Sequence, residues 1–337
     1  MEKIIRIGLD TSKSVFQVHG VDVSEKVVLR RRLTRGQMAK FFASLPSTLI
    51  GLEACGASHH WARLLGDLGH EVRLLPPQYV KPYLKRGKND AADAEAICEA
   101  LSRPSMRFVP VKTAENQAAL TLHGARDLLI KQRTMLVNAI RGHAAEFGIT
   151  GTKGVGRVAE LLVRIDSDEA VPDLAREIIV ELAGQLMSLE QRIRSFEAKL
   201  MAWHRNDKRS RDLATIPGVG PIGATALVMK IADPRQFRSA RHFAAWLGLT
   251  PKDHSTAGRQ RLGVITRAGD ETLRRLLVAG AMAVIQQAKP GRSSPWLLAL
   301  LARKPKKLAA VALANKTARI AWTLMMRGET YHRPSLG

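Results

Sequence analysis

The sequence predicts an α/β layer at its start, a long helical middle and a mainly helical, basic last third, in a chain of 337 residues. Three observations predict it. Three strand-like runs open the chain, after which helical and strand signals alternate. Two later stretches carry apolar residues at alternating spacings of three and four, and the basic excess gathers toward the end. A mixed sheet with helices packed on it buries the first pattern, and paired helices bury the second. The expected domains are 1–110, 111–206 and 207–337.

In order, Lys3–Leu9 is an apolar, β-rich run ending at Asp10, and Val15–Val21 and Lys26–Arg32 follow as short strands of an antiparallel meander. Arg35–Ser44 reads as helix, Thr48–Glu53 as strand, Ser58–Gly69 as helix and Glu71–Leu75 as strand. After a basic loop interrupted by proline, from Pro76 to Lys88, Asn89 is placed to cap a helix that runs to about Ser102 and stops before Pro104. In the middle, Ala118, Leu122, Ala125, Leu129, Gln132, Leu136 and Ala139 keep a 4-3 spacing. After a Gly-rich break, Ile179, Leu182, Leu186, Leu189, Ile193, Phe196, Leu200 and Trp203 form a cleaner heptad, the seam of a coiled coil. Period alone leaves open whether these helices pair within one chain or form an arm between subunits. The last third is Gly- and Arg-rich with short helices, and charged clusters break the stretch from Trp296 to Met326 into surface helix.

Charge narrows the function. Lys and Arg number 53 against 30 Asp and Glu, a formal net charge of +23. The three regions carry +6, +1 and +16 respectively. Such a field serves a polyanion, and nucleic acid is the commonest one. The alternative, a membrane surface, lacks a helix pairing one aromatic-apolar face with one strongly basic face. With 5% aromatics, a base-stacking surface for single strands is not expected. Cys55 and Cys98 have no CxxC spacing, which argues against a disulfide framework or a thiolate zinc site. The start, MEKIIRIGLD, lacks a signal-peptide pattern, and no segment approaches the ~18 apolar residues of a span. A soluble cytoplasmic protein is the expectation.

Four acids stand out. Asp10 ends the first strand in IGLDTSK, Glu53 ends a later strand in IGLEACG, and Asp90 and Asp93 share one helix face in KNDAADAEAI. Each alone has a structural reading: Asp10 as the cap of a turn, Asp90 as a favourable charge at a helix N-terminus. Together, in strand–strand–helix order, they form a carboxylate set that needs cations to neutralise it. Hard oxygen ligands select Mg²⁺ or Mn²⁺, and two such ions roughly 4 Å apart suit phosphodiester chemistry. Glu95 and Glu99 lie farther along the same helix and are left out of the set.

These three motifs resemble the DEDD tetrad of RuvC-type junction nucleases, within the ribonuclease-H-like fold. More closely, they are similar to the DEDD transposases of insertion-sequence family one-ten, subgroup eleven-eleven, which includes the Piv-type DNA invertases. The resemblance implies that Asp10, Glu53, Asp90 and Asp93 are the tetrad and bind the metal.

Downstream, Ile216-Pro-Gly-Val-Gly-Pro-Ile-Gly223 matches a dinucleotide fingerprint, but Arg209–Thr215 before it is charged and helical, so the strand that motif requires is missing. A helix–hairpin–helix turn fits better: Gly218 and Gly220 let backbone N–H groups approach a phosphate, and an ordinary inter-helix turn is the plainer alternative. The segment also resembles the opening of the same family's second domain. FAAWLGLTPKDHSTAGRQRLGVITRAGDETLRRLL resembles that family's second signature, with Ser255 aligned to the nucleophilic serine and Thr256 the neighbouring register. Ala257 stands where glycine is usual and Arg267 where lysine is usual. Arg259, Arg261, Arg267, Arg274 and Arg275 follow closely, and guanidinium groups suit a phosphate gaining charge.

The resemblance implies a recombinase acting on double-stranded DNA through a phosphoserine link. It further implies a homo-oligomer whose sites use two subunits, and a guide ("bridge") RNA. Three rivals stay open. One is a junction nuclease in which Ser255 is idle. Another is an actin-like ATPase, because IGLDTSK also resembles a phosphate loop. The third is a DNA-binding protein without enzymatic activity.

Overall fold

A computed structural model describes residues 4–85, 89–152, 154–256 and 258–332, so Lys3, Lys88 and Ala257 lie outside the described residues. The chain forms two compact units. The first holds residues 1–117 and 232–238, and the second holds 118–231 and 239–337. The helical middle therefore shares a unit with the basic last third.

The first unit is built on a five-stranded sheet in the order β3-β2-β1-β4-β5. β1 (Arg6–Thr11), β2 (Val15–Val21) and β3 (Val27–Thr34) form the antiparallel meander, while β4 (Leu49–Glu53) and β5 (Glu71–Leu75) add in parallel beyond β1. Alternation decides which face each residue takes. Ile7, Leu9, Phe16, Val18, Ile50 and Leu52 point to one face and pack under α1 (Met38–Ala43) and α2 (Ser58–Asp67), where the Trp61 ring meets Phe16 edge-on at 4.9 Å. A short α3 (Pro77–Val80) leads from β5 toward α4 (Asp90–Leu101), whose Ile97 and Leu101 pack with Leu75 and Val80 in a second cluster. β1 and β3 each run two residues past the expected ends. Pairing with β2 continues through Asp10↔Gln17 and Thr11↔Phe16, and through Leu33↔Phe16 on the other side, so Asp10 lies inside its strand.

α4 sits unusually close to β1, and Gly8 is the reason. A Cβ there would lie 2.1 Å from the Ala94 carbonyl oxygen and 2.5 Å from the Cys98 nitrogen. On the helix side the contact residues are small, Ala94 and Cys98 both being buried. Arg6 Nε donates to the Cys98 carbonyl at 2.9 Å and also pairs with Glu25, holding the far end of the helix.

In the second unit, α5 (Ala114–Glu146), from residue 118 onward, packs with α6 (Val158–Ser167) and α7 (Asp173–Asn206). Along the expected α7 seam, Ile179, Leu186, Ile193 and Leu200 are buried, and part of that stripe packs against Val137, Ile140 and Leu161 of the same chain. The α5 seam is shallower, with Leu122, Leu129 and Leu136 half-buried and Gln132 exposed. α8 (Lys208–Ala214), α9 (Pro221–Lys230) and α10 (Ala240–Trp246) follow, then a hairpin of β6 (Pro251–Asp253) and β7 (Leu262–Ile265). α11 (Glu271–Gln286), α12 (Pro295–Arg303) and α13 (Lys306–Arg327) complete it, with the α13 alanines 309, 310, 314, 318 and 321 buried. His123 of α5 is buried and hydrogen-bonds Thr225 of α9 at 3.0 Å. Among the described residues no helix is long and apolar enough to cross a membrane.

Candidate active site

Gly8 and Asp10 point to the same face of β1, the face α4 covers; Gly51 pairs with Gly8, so Glu53 two residues on in β4 points there too. The Asn89 side chain accepts from the Ala92 N–H at 2.8 Å and caps α4, fixing where its first turn begins. Asp90 and Asp93 lie in that turn, a placement the helix dipole favours. Because Gly8 lets the helix down onto β1, ligand oxygens of Asp10, Asp90 and Asp93 come within 4.8 Å of one another. Glu53 falls outside that group of three, although its charge acts on Asp10.

The electrostatics follow from the crowding. Burial pushes the Asp10 carboxyl up to about 6, and the charges of Asp93, Asp90 and Glu53 push the same way. The donor set fits a divalent ion: clustered carboxylate oxygens, mutually repelling, around a space that a cation stabilises. Glu95 and Glu99, farther along α4, are engaged elsewhere, with Lys85 at 2.7 Å and with Arg103 at 2.9 Å.

Ser255 lies in the connection between β6 and β7, exposed. Its N–H donates to Asp253 Oδ1 at 2.9 Å, and its Oγ accepts from the Arg261 N–H at 3.0 Å. The Ser255 side chain and N–H beside it hold the Asp253 carboxyl below its usual range. One N–H thus polarises the hydroxyl oxygen, and the Asp253 carboxylate is held beside it by the serine's own N–H. Thr256 next door exchanges backbone hydrogen bonds with Arg259. Asp253 does not stand out in the sequence. Its signal there is a carboxylate two residues before a hydroxyl, the spacing of an Asx turn.

Comparison with known proteins covers both signatures. Residues 210–296 match the family described as Transposase IS116/IS110/IS902, and residues 7–148 match the DEDD transposase domain of IS110. A putative transposase of Sinorhizobium fredii, y4pF/y4sB, is 60% identical over 99% of this chain and 87% of its own length. The chain belongs to the IS110 family of transposases. The transposase for insertion sequence element IS1111A of Coxiella burnetii is 40% identical over 98% of this chain and 92% of its own length. The pilin gene-inverting protein of Moraxella lacunata is 27% identical over 84% and 81%. Membership makes the protein a DNA-binding recombination enzyme, with a DEDD domain of a kind that generally uses divalent metal ions.

The arginines of this IS110 transposase fall into two groups. Arg259, Arg261 and Arg267 are exposed. Arg274 Nη1 instead donates to the Leu247 carbonyl at 3.0 Å and the Ala268 carbonyl at 2.8 Å, and Arg275 pairs with Asp127 at 2.7 Å. The two glycines also differ. Gly218, at φ +85°, packs against the α11 backbone, where an added Cβ would lie 2.8 Å from the Gly280 carbonyl oxygen. Gly220 is exposed at the start of α9.

Proposed function

We propose that this transposase cuts and rejoins double-stranded DNA with Ser255 as nucleophile and with Asp10, Glu53, Asp90 and Asp93 holding Mg²⁺ or Mn²⁺. The convergence of Asp10, Asp90 and Asp93 within 4.8 Å carries the reading. Bound there, divalent ions neutralise the acids and stabilise charge developing on phosphoryl oxygens. Ser255 Oγ attacks phosphorus, and the bond to the leaving sugar oxygen breaks as the phosphoserine bond forms. The hydroxyl proton passes toward Asp253, and the leaving oxygen is protonated as it departs. A sugar hydroxyl of another strand then reverses the step, so no external energy source is needed. Arg259 and Arg261, exposed in the same connection as the serine, suit the phosphate's charge, and Arg267, exposed beyond the base of the hairpin, adds to the basic surface. Gly220 and the start of α9 offer a sequence-independent grip on the backbone.

The reading extends to a homo-oligomer, supported by apolar side chains left exposed on the long helices, among them Met135, Leu174, Val180 and Met187. It extends also to a guide RNA, for which the support is resemblance and basic charge alone. The named inverting activity of the Moraxella relative supports rejoining over simple hydrolysis.

Trapping a protein–DNA adduct on a suicide substrate, followed by peptide mapping, tests the nucleophile. Ser255→Ala is expected to lose both adduct and joined product, because the covalent route itself is removed. Thr256→Ala is expected to keep most activity. An adduct on Thr256, or full recombination by Ser255→Ala, overturns the assignment.

A further inference from the structure

β3 is an edge strand, and it carries three consecutive arginines, Arg30 to Arg32. The pairing register sets Asp10, Gln17 and Arg32 side by side across β1, β2 and β3, with Gly8, His19 and Arg30 forming another row of the same face. That face is the one α4 covers, because a Cβ on Gly8 would meet Ala94. With strands spaced about 4.8 Å apart, the Arg32 Cα stands about 10 Å from that of Asp10. Arg30 and Arg32 are about 6.8 Å apart along their strand. A groove of about 210 Å³ opens between this corner of the sheet and the first turns of α4, lined by Gln17, His19 and Arg30 on one side and Asn89, Ala92 and Glu95 on the other. Asn89 and Ala92 flank Asp90 in the chain, so the groove borders the helix turn that carries Asp90 and Asp93.

Charge says what the groove suits. Glu95 faces both Arg30, at 3.7 Å, and Lys85, at 2.7 Å, whose side chains stay 67% and 71% exposed. Arg32 is exposed as well. Two cations therefore face one carboxylate at the edge of the sheet, and exposed pairs of this kind contribute little to stability. A cluster of acids repels a polyanion, so a DNA strand that brings one phosphate to Asp10 needs cations under the neighbouring phosphates. Two arginines on alternate residues of an extended strand supply them at the spacing of successive phosphates.

We infer that the β2–β3 face beside α4 seats the sugar–phosphate backbone of the DNA strand next to the phosphate that reacts, with Arg32 and Arg30 on neighbouring phosphates and Gln17 between them and Asp10. This rests on the reading of the carboxylate cluster as the cutting site. The two arginines act by positioning the strand.

The full-length protein tests it with a gapped DNA duplex and an RNA of matching sequence as probes. Arg32→Ala combined with Arg30→Ala is expected to weaken DNA binding about tenfold or more and to lower the slope of log affinity against log salt by about 0.7–0.9 for each phosphate no longer neutralised. The KM for DNA rises while kcat, Mn²⁺ affinity and melting temperature hold, and Arg32→Lys keeps the salt slope. Unchanged DNA affinity and slope overturn the seat, as does a loss confined to Mn²⁺ affinity or to RNA binding. A wild-type protein that never cleaves, yet loses DNA affinity through these substitutions, defeats the cutting-site reading and leaves the seat standing.

Discussion

At Asp10, burial and three neighbouring acids act in one direction and lift its carboxyl to about 6. A raised folded-state value means that the native protein holds this proton more tightly than the unfolded chain. The stability it lends is full below the ordinary carboxylate value of 3.8 and is lost as pH rises through about 6. Above that, the ionised cluster opposes folding until a cation neutralises it. Added Mn²⁺ is therefore expected to raise the melting temperature more at about pH 7.5 than at about pH 5, since ligands must be deprotonated to bind. Asp10→Asn should raise the metal-free melting temperature at neutral pH and abolish cleavage, while leaving DNA binding largely intact. A thermal-shift series with and without the metal, beside a cleavage assay, measures both; retained Mg²⁺-dependent cleavage by Asp10→Asn removes it from the site. Asp10, Asp90 and Asp93 were legible as candidates in the sequence because a strand and a capped helix announce themselves locally, whereas Glu53, read with them, falls outside the group that converges. The Asp253–Ser255 hydrogen bond was not, since a turn's side-chain geometry leaves no periodic trace.

The site depends at the level of elements on how closely α4 descends onto β1. Strand boundaries were readable to within a few residues, and β2 and β5 fall where alternation puts them, at Val15–Val21 and Glu71–Leu75. The strand order was less accessible, because which strands become neighbours depends on long-range packing. The meaning of Gly8 was equally hidden: a glycine in a strand looks like a weakness until the helix above it is in view. Its replacement is a sharp test. Gly8→Val forces side-chain atoms into the Ala94 carbonyl and the Cys98 backbone, which must move away together with Asp90 and Asp93. The expected cost is about 1–3 kcal/mol or more. Cleavage should fall further than that loss of stability explains, because the carboxylates separate. Urea denaturation set against cleavage of the surviving folded fraction distinguishes the two effects. A variant of full stability and full activity contradicts the close packing.

For the whole molecule, charge placement was the most legible property of the sequence and its partition the least. The +16 of residues 207–337 is visible in the composition alone, yet equal arginines in it do different work. Arg274 holds two carbonyls around the turn before α11, and Arg275 reaches Asp127 of α5. Arg259 and Arg261 present exposed side chains in the connection that holds Ser255, and Arg267 is exposed beyond the base of the hairpin. An arginine that neutralises a phosphate releases a counterion, and removing it takes about 0.9 from the log–log salt slope on duplex DNA. An arginine tied to protein carbonyls or to a carboxylate contributes instead to folding, since its loss strands a buried acceptor or a partner charge. In the full-length protein, combined Arg259→Ala, Arg261→Ala and Arg267→Ala is therefore expected to flatten the salt slope by about two to three, with the melting temperature nearly unchanged. Arg274→Ala is expected to do the reverse, lowering the melting temperature by several degrees while the slope stays within error. Binding titrations at a series of salt concentrations, paired with calorimetry, read both quantities on the same preparations. Were Arg274→Ala to flatten the slope at constant melting temperature, its guanidinium would belong to the DNA surface, and the two groups of arginines would merge into one.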